Sequence, residues 1–348
     1  MKKLLYIAST IAFVACGASK ETQSVDKNDA NVDYAAKYAQ TITAKDLGKH
    51  LFVYASDEFE GRDTGEPGQK KAVNYLKDFY VNTGLKSPLG GSDYFQKVPS
   101  AYLSNNRRGM KLKDSENVVA FIKGTEKPDE ILVISAHLDH EGVKNGKVYN
   151  GADDDGSGTV AILEIAEAFK QAYNEGHKPK RSILFLHVTG EEKGLLGSQY
   201  YTENPIFPLA NTVTNLNIDM IGRVDDRHKG NPNYVYLIGA DKLSTELHNI
   251  SETINKKYTN VSLDYKYNDE KDPNRYYYRS DHYNFAKHNI PVIFYFNGTH
   301  ADYHQPTDTP DKINYEMLEN RTRLVFHTAW ELANRENRVT VDKGEPKK

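Results

Sequence analysis

The chain has 348 residues, enough for one large domain or two small ones. Its formal charge of −3 leaves no basic footprint of the kind nucleic-acid binding requires, and 27% charged against 38% apolar residues suits a soluble globular protein. A single cysteine, Cys16, excludes an intrachain disulfide and a multi-thiolate metal site.

Lys2 and Lys3 precede an apolar stretch over residues 4–15, which runs into Ala15-Cys16-Gly17. A basic start, a short apolar segment and a small residue before a cut make a secretory signal. The cysteine at the cut resembles the lipobox of bacterial lipoproteins, with Phe13 where leucine is usual. That resemblance implies an exported chain, periplasmic or on the cell surface, held to a bacterial membrane by lipid at Cys16; plain secretion is the alternative. The apolar run is short for a transmembrane span. Residues 1–15 are thus expected as the signal and residues 16–40, polar and poor in aliphatics, as a flexible tether. Residues 41–338 read as one catalytic domain and residues 339–348 as a polar tail.

Leu47, Leu51 and Tyr54 repeat at helical spacing, as do Ala72, Tyr75, Leu76 and Phe79 behind a Pro67-Gly68 start. The charged, glycine-punctuated segment between them reads as a surface connection. Strands are expected at 94–98 and 117–123 as an edge pair, with Arg107 and Arg108 on a solvated loop between them. Next comes the apolar run 131–136, which stops at His137 and reads as a buried strand. A helix follows from about 159 to 173, a strand at 182–188, a helix at 195–202, and strands at 213–218 and 234–238. A helical stripe of Leu243, Leu247, Ile250 and Ile254 leads into a polar, aromatic region reaching Arg279, which is expected to set side-chain preference. A last strand at 291–296 and a helix from 314 to 334 close the domain. Strands alternating with helices predict an α/β fold: a mixed, largely parallel central sheet flanked by helices on both faces.

Chemistry gathers where these strands end. His137 and Asp139 close the first buried strand, and Asp153-Asp154-Asp155 follows with Gly156-Ser157-Gly158 opening a helix. Three successive carboxylates repel one another unless a cation holds them, and a divalent metal is the simplest such cation. Glu191 and Glu192 follow the next strand, Asp219 the third, and His304 the last. Sites in open α/β sheets lie at such carboxyl ends. Imidazole and carboxylate ligands without thiolate suit Zn²⁺, with Mn²⁺ or Co²⁺ as substitutes. No phosphate-binding glycine loop or nucleophile elbow accompanies them. His187 reads as core, His140 as a competitor of His137, and His300 as facing the pocket. Asp281 and His282 read either as pocket lining or as part of a helix start capped by Ser280. Tyr276, Tyr277 and Tyr278 read as an apolar wall or as surface.

The set H-x-D, G-A-D-D-D-G-S-G, G-E-E, N-x-D-M and Y-H-Q-P-x-D-T, in that order, resembles metallopeptidase family 28, the co-catalytic zinc aminopeptidases. The resemblance implies two Zn²⁺, one held by His137, Asp154 and Asp219, the other by Asp154, Glu192 and His304. It implies Glu191 as general base and Asp139 behind His137, accepting the second ring N–H. It also implies a cis peptide between Asp154 and Asp155. The expected substrates are peptides with a free N-terminus. Similar relatives leave three rivals: a glutaminyl cyclase-like enzyme, a metal-dependent deacylase or carboxypeptidase, and a non-catalytic binding protein.

Overall fold

Two helices open the described chain: α1, Tyr34–Ala39, and α2, Ala44–Tyr54. The Thr43 hydroxyl starts the second by accepting from Asp46 N at 3.1 Å. The computed structural model describes residues 32–106 and 108–343. Contacts divide the chain into Met1–Asp33 and Tyr34–Lys348, and every element below belongs to the second unit. The signal-like segment with Cys16, most of the expected tether, Arg107 and residues 344–348 lie outside the described residues. The tether is corrected at its end, because α1 is helical and Tyr38 is buried in the core. The tail is corrected at its start: Val339 packs on the core, and Thr340 N donates to Glu246 Oε2 at 2.8 Å.

Helix α3, Pro67–Thr83, begins at Pro67 as expected. Strand β1, Phe95–Val98, helix α4, Ser100–Leu103, and strand β2, Ser115–Ile122, follow. β3 runs from Lys127 to His137, longer than its apolar run. A small hairpin, β4 Gly142–Lys144 and β5 Lys147–Tyr149, fills the loop after His137. Then come α5 Gly158–Asn174, β6 Arg181–Val188, α6 Leu196–Glu203, β7 Thr212–Ile218, β8 Tyr234–Ile238 and α7 Thr245–Tyr258. The chain ends through β9 Ser262–Asp264, α8 His282–Ala286, β10 Val292–Phe296 and α9 Tyr315–Asn334. No helix of the described residues is long and apolar enough to cross a membrane.

Eight strands pair in the order β1-β2-β6-β3-β7-β10-β8-β9. The four central strands β6, β3, β7 and β10 are mutually parallel; β2 and β8 run against their inner neighbours. The continuous apolar runs follow from this position. Leu132, Ile134 and Ala136 of β3 pack on one face, Ile131 and Val133 on the other. Side chains alternate along a strand, so a strand covered on both sides needs apolar residues at every position. The first face lies under α2, α3, α5 and α9, and the second under α6 and α8, whose Tyr201 and Phe285 seal it. The parallel strands therefore present their carboxyl ends along one edge.

Candidate metal centre

His137 closes β3, Glu191 and Glu192 follow β6, Asp219 follows β7, and His304 lies in the loop after β10. Asp154 comes from the irregular turn Ala152–Ser157 ahead of α5, and the Asp154–Asp155 peptide is cis. Gly151 makes that turn possible. Its φ is +56°, and a Cβ there would stand 2.2 Å from Asp154 O and 2.5 Å from His140 Cγ.

The two oxygens of Asp154 face different partners. Oδ1 lies 3.0 Å from His137 Nε2, which is 3.6 Å from Asp219 Oδ1. Oδ2 lies 2.9 Å from His304 Nε2, which is 3.3 Å from Glu192 Oε1. His304 holds a left-handed φ of +54°, a conformation that costs a non-glycine residue about 1–3 kcal/mol. His140 stands on the Glu192 side, its Nδ1 2.9 Å from Glu192 Oε1 and 4.0 Å from Asp154 Oδ2. That contact lacks hydrogen-bond alignment: both His140 nitrogens and Glu192 Oε1 are buried without a hydrogen-bond partner. Glu141 Oε1 is 4.0 Å from His304 Nδ1.

Three groups of ligand-type atoms thus converge within 4.8 Å: His137, Asp154 and Asp219; His140, Asp154 and Glu192; Glu141, Glu192 and His304. Imidazole nitrogens and carboxylate oxygens this close together, with the His140 nitrogens and Glu192 Oε1 lacking a hydrogen-bond partner, fit divalent cations of the zinc class.

The other two aspartates of the run do not share this task. Asp153 Oδ1 accepts from Gly222 N at 2.7 Å and its Oδ2 from Asn297 Nδ2 and His300 Nε2, both at 3.0 Å. Asp155 accepts from His137 N at 3.1 Å, Gly158 N at 2.9 Å and Met220 N at 3.1 Å. Of the three, only Asp154, the one the family resemblance implies as a ligand, joins the cluster. Amides and a histidine satisfy the other two. His300 is likewise turned to Asp153 rather than to the pocket.

The expected place of Asp139 is corrected. His137 Nδ1 bonds the Asp139 backbone oxygen at 2.9 Å, and the carboxylate is 3.9 Å away. The carboxylate instead accepts from Thr64 Oγ1 at 2.7 Å and from Glu191 N at 3.1 Å. Asp139 therefore fixes the backbone of Glu191, while its carbonyl sets the His137 ring. His187 is core, its Nε2 2.6 Å from Tyr80 Oη, and burial pushes its pKa down to about 3.

Glu191 faces a narrow cavity with Asp154, Asp219, Tyr276, Phe296 and Tyr303. Most of its carboxyl is enclosed by protein although part of its surface meets the cavity. Burial first, then the charges of Glu192, Asp219 and Asp281, raise it well above the usual carboxylate range against the pull of His137.

The profile of Peptidase family M28 matches residues 117–329, more than half of the chain. The chain belongs to peptidase family M28. Leupeptin-inactivating enzyme 1 of Streptomyces exfoliatus is 27% identical over 305 residues, covering 81% of this chain and 59% of that protein. A probable zinc metalloprotease of Pyricularia oryzae is 28% identical over 311 residues, covering 77% and 59%. The chain thus spans about three-fifths of the length of these M28 relatives. Among solved structures, the Legionella pneumophila LapA aminopeptidase superposes with a TM-score of 0.66 at 22% identity, over 91% of this chain and 78% of that one. BSAP, a zinc aminopeptidase from Bacillus subtilis, gives 0.64 at 17% identity, over 87% and 98%. These likenesses are of fold.

Within this M28 fold, the five expected ligand residues His137, Asp154, Glu192, Asp219 and His304 do come together, with Glu191 beside them. The sequence reading missed several supports. Ser280 Oγ donates to Asp219 Oδ2 at 2.6 Å and accepts from Asn217 Nδ2 at 2.8 Å. It does not cap α8, and Asp281 and His282, read as pocket lining or as part of that helix start, are fully buried, with Asp281 Oδ1 accepting from Ser198 Oγ at 2.5 Å. Asp308 Oδ2 accepts from the backbone N–H groups of Asp153 and Asp154, at 3.0 and 3.2 Å. The segment read as a surface connection buries Arg62 completely. Its guanidinium donates to Leu138 O at 3.2 Å, Tyr54 O at 3.2 Å, Asn150 O at 2.6 Å and Gly151 O at 2.9 Å. Gly61 is the one sequence signal of that close approach, since a Cβ there would meet Tyr149 O at 2.4 Å. Of the three tyrosines, Tyr276 and Tyr277 are buried and Tyr278 is exposed.

Proposed function

We propose that the chain is a metal-dependent exopeptidase, an aminopeptidase that removes N-terminal residues from peptides. One observation carries the reading: the two oxygens of a single buried carboxylate, Asp154, each face an imidazole and a further carboxylate. A carboxylate set between two nitrogen–oxygen groups would suit a pair of divalent ions. His137, Asp154 and Asp219 would hold one Zn²⁺, and Asp154, Glu192 and His304 the other, with Mn²⁺ or Co²⁺ able to substitute. Two such ions would act as Lewis acids, polarising the scissile carbonyl and lowering the pKa of a shared water.

The chain's own residues do the rest. Glu191, on the cavity wall beside Asp154, Asp219 and His304, accepts the water proton and passes it to the leaving amine. Asp139 holds the Glu191 backbone so that its carboxyl faces the cavity. Tyr276, Phe294, Phe296 and Tyr303 exclude water and offer apolar contact to the first side chain.

Matched peptides with free and acetylated N-termini, assayed alongside metal analysis, test this. Cleavage confined to the free form with two bound ions per chain is expected. Equal cleavage of both forms favours an endopeptidase or deacylase; no cleavage with metal bound favours a binding protein. We also propose, from the sequence of residues 1–17, that the chain is exported and lipid-anchored at Cys16. An unlipidated mature mass would remove that part.

A further inference from the structure

A cavity of about 640 Å³ opens beside the Glu191–Glu192 turn. Its wall carries Arg108, Lys193, Arg275 and Lys287 and no aspartate or glutamate. The chain as a whole is slightly acidic, so one-signed lining here is a local feature.

This wall is built from the same segments as the metal centre. Lys193 and Leu195 continue directly from Glu192, and Arg108 Nη1 donates to Glu192 O at 2.9 Å. The turn Tyr276–Tyr278 divides the two spaces. Tyr276 and Arg279 line the narrow cavity over Asp154, Glu191, Asp219 and His304, whereas Arg275 and Tyr278 line the basic one. Lys193 already pairs with Asp63 Oδ1 at 2.7 Å. Arg275 has no side-chain hydrogen bond or ion pair among the described residues; its guanidinium lies 4.8 Å from the centre of the exposed Tyr278 ring. Stacking holds such a group extended while leaving its N–H edge free for a carboxylate.

We propose that this basic cavity binds an acidic stretch of the peptide downstream of the scissile bond, so that the enzyme prefers acidic peptides. The proposal rests on the exopeptidase reading. In that reading the free amine and first side chain lie at the narrow aromatic cavity beside the metal centre. The remaining peptide has to leave across an adjoining wall, and this one is large and positive. A cleft lined by one sign of charge raises the local concentration and capture rate of the opposite sign by about 10–10³-fold.

Peptides sharing an N-terminal leucine and differing only in the next three residues, all Glu, all Ala or all Lys, test it on the full chain. At low salt kcat/KM is expected to be about tenfold or more higher for the Glu series than for the Lys series. The contrast should shrink in about 0.5 M salt, where screening lengths fall to a few ångströms. Arg275→Gln and Lys287→Gln, both at exposed positions, should each lower the Glu-to-Lys ratio. A ratio near one, or one that neither variant moves, overturns the subsite. If no free-amine peptide is cleaved, the exopeptidase reading fails on its own, and binding decides the subsite. An acetylated, fluorescent Glu-rich peptide should then bind tighter than its Lys counterpart and lose that advantage in Arg275→Gln. Equal binding, or displacement by inorganic phosphate at concentrations comparable to the peptide's own, overturns it.

Discussion

Ser280 Oγ donates its proton to Asp219 Oδ2 at 2.6 Å, leaving Asp219 Oδ1 to face His137. The hydroxyl is itself held by Asn217 Nδ2, and Asn217 Oδ1 accepts from Ser135 Oγ at 2.7 Å. A buried relay thus runs from β3 through β7 to the loop before α8 and fixes which oxygen of Asp219 reaches the centre. Ser280→Ala removes that constraint without opening a large cavity. The expected result is a loss of about 10–100-fold in metal affinity, the usual range for partners that orient ligands. Chelator competition measures it; unchanged affinity in a folded variant would mean that Asp219 is not a ligand.

Glu191 and Glu192 are neighbours with different surroundings. Glu191→Gln keeps shape and polarity but cannot take a proton, so turnover should fall by at least about 10²–10⁴-fold with metal content intact. Glu192→Gln should lose metal, because a neutral amide is a poor ligand for a zinc-class dication. Metal analysis and single-turnover rates on both variants check the crossed pattern. The reverse pattern would exchange their roles.

Arg62 ties Leu138, Tyr54, Asn150 and Gly151 through their carbonyls, which fixes the strand end and the turn that carry His137, His140 and Asp154. Arg62→Met removes the donor to the buried Tyr54 and Asn150 carbonyls, whereas Leu138 O keeps Tyr54 Oη and Gly151 O keeps Gly156 N. At about 1–3 kcal/mol for each unsatisfied group, a destabilisation of about 2 kcal/mol or more is expected. Denaturant midpoints at constant slope measure it. A shift under about 1 kcal/mol would show that water takes over at those two carbonyls.

Glu164 of α5 is buried, and burial, then the charges of Glu167 and Asp46, push its pKa up to about 8. The sign follows from linkage. In the unfolded chain the group ionises near 4.5; in the folded chain it stays neutral to about 8. Its contribution is therefore fully present below pH 4.5 and is lost as pH rises through 8. Glu164→Gln, which cannot ionise, should gain on the parent by about 2–4 kcal/mol between those limits. Melting curves from pH 4.5 to 8.5 test this; parallel stability profiles would show that Glu164 ionises at little cost.

The sequence by itself determined the α/β architecture, which is local in origin; its motifs, through their resemblance to family 28, pointed to five of the residues that meet in the cluster, which also takes in His140 and Glu141. Strands covered on two faces need unbroken apolar runs, so 131–136, 182–188 and 291–296 announce themselves, and the polar residue ending each run marks the same sheet edge. Which atom of each residue turns inward was not local. Asp153, Asp154 and Asp155 look alike in sequence. Gly222, Met220, Asn297 and His300, all distant along the chain, take up two of them and leave Asp154 for the cluster. The same holds for Asp139, whose carboxylate is claimed by Thr64 and the Glu191 amide before it can reach His137. Arg62 reads as a surface charge because its acceptors are backbone carbonyls, which carry no residue identity. Only the folded chain brings four of them to one guanidinium, and with them the turn on which the metal centre stands.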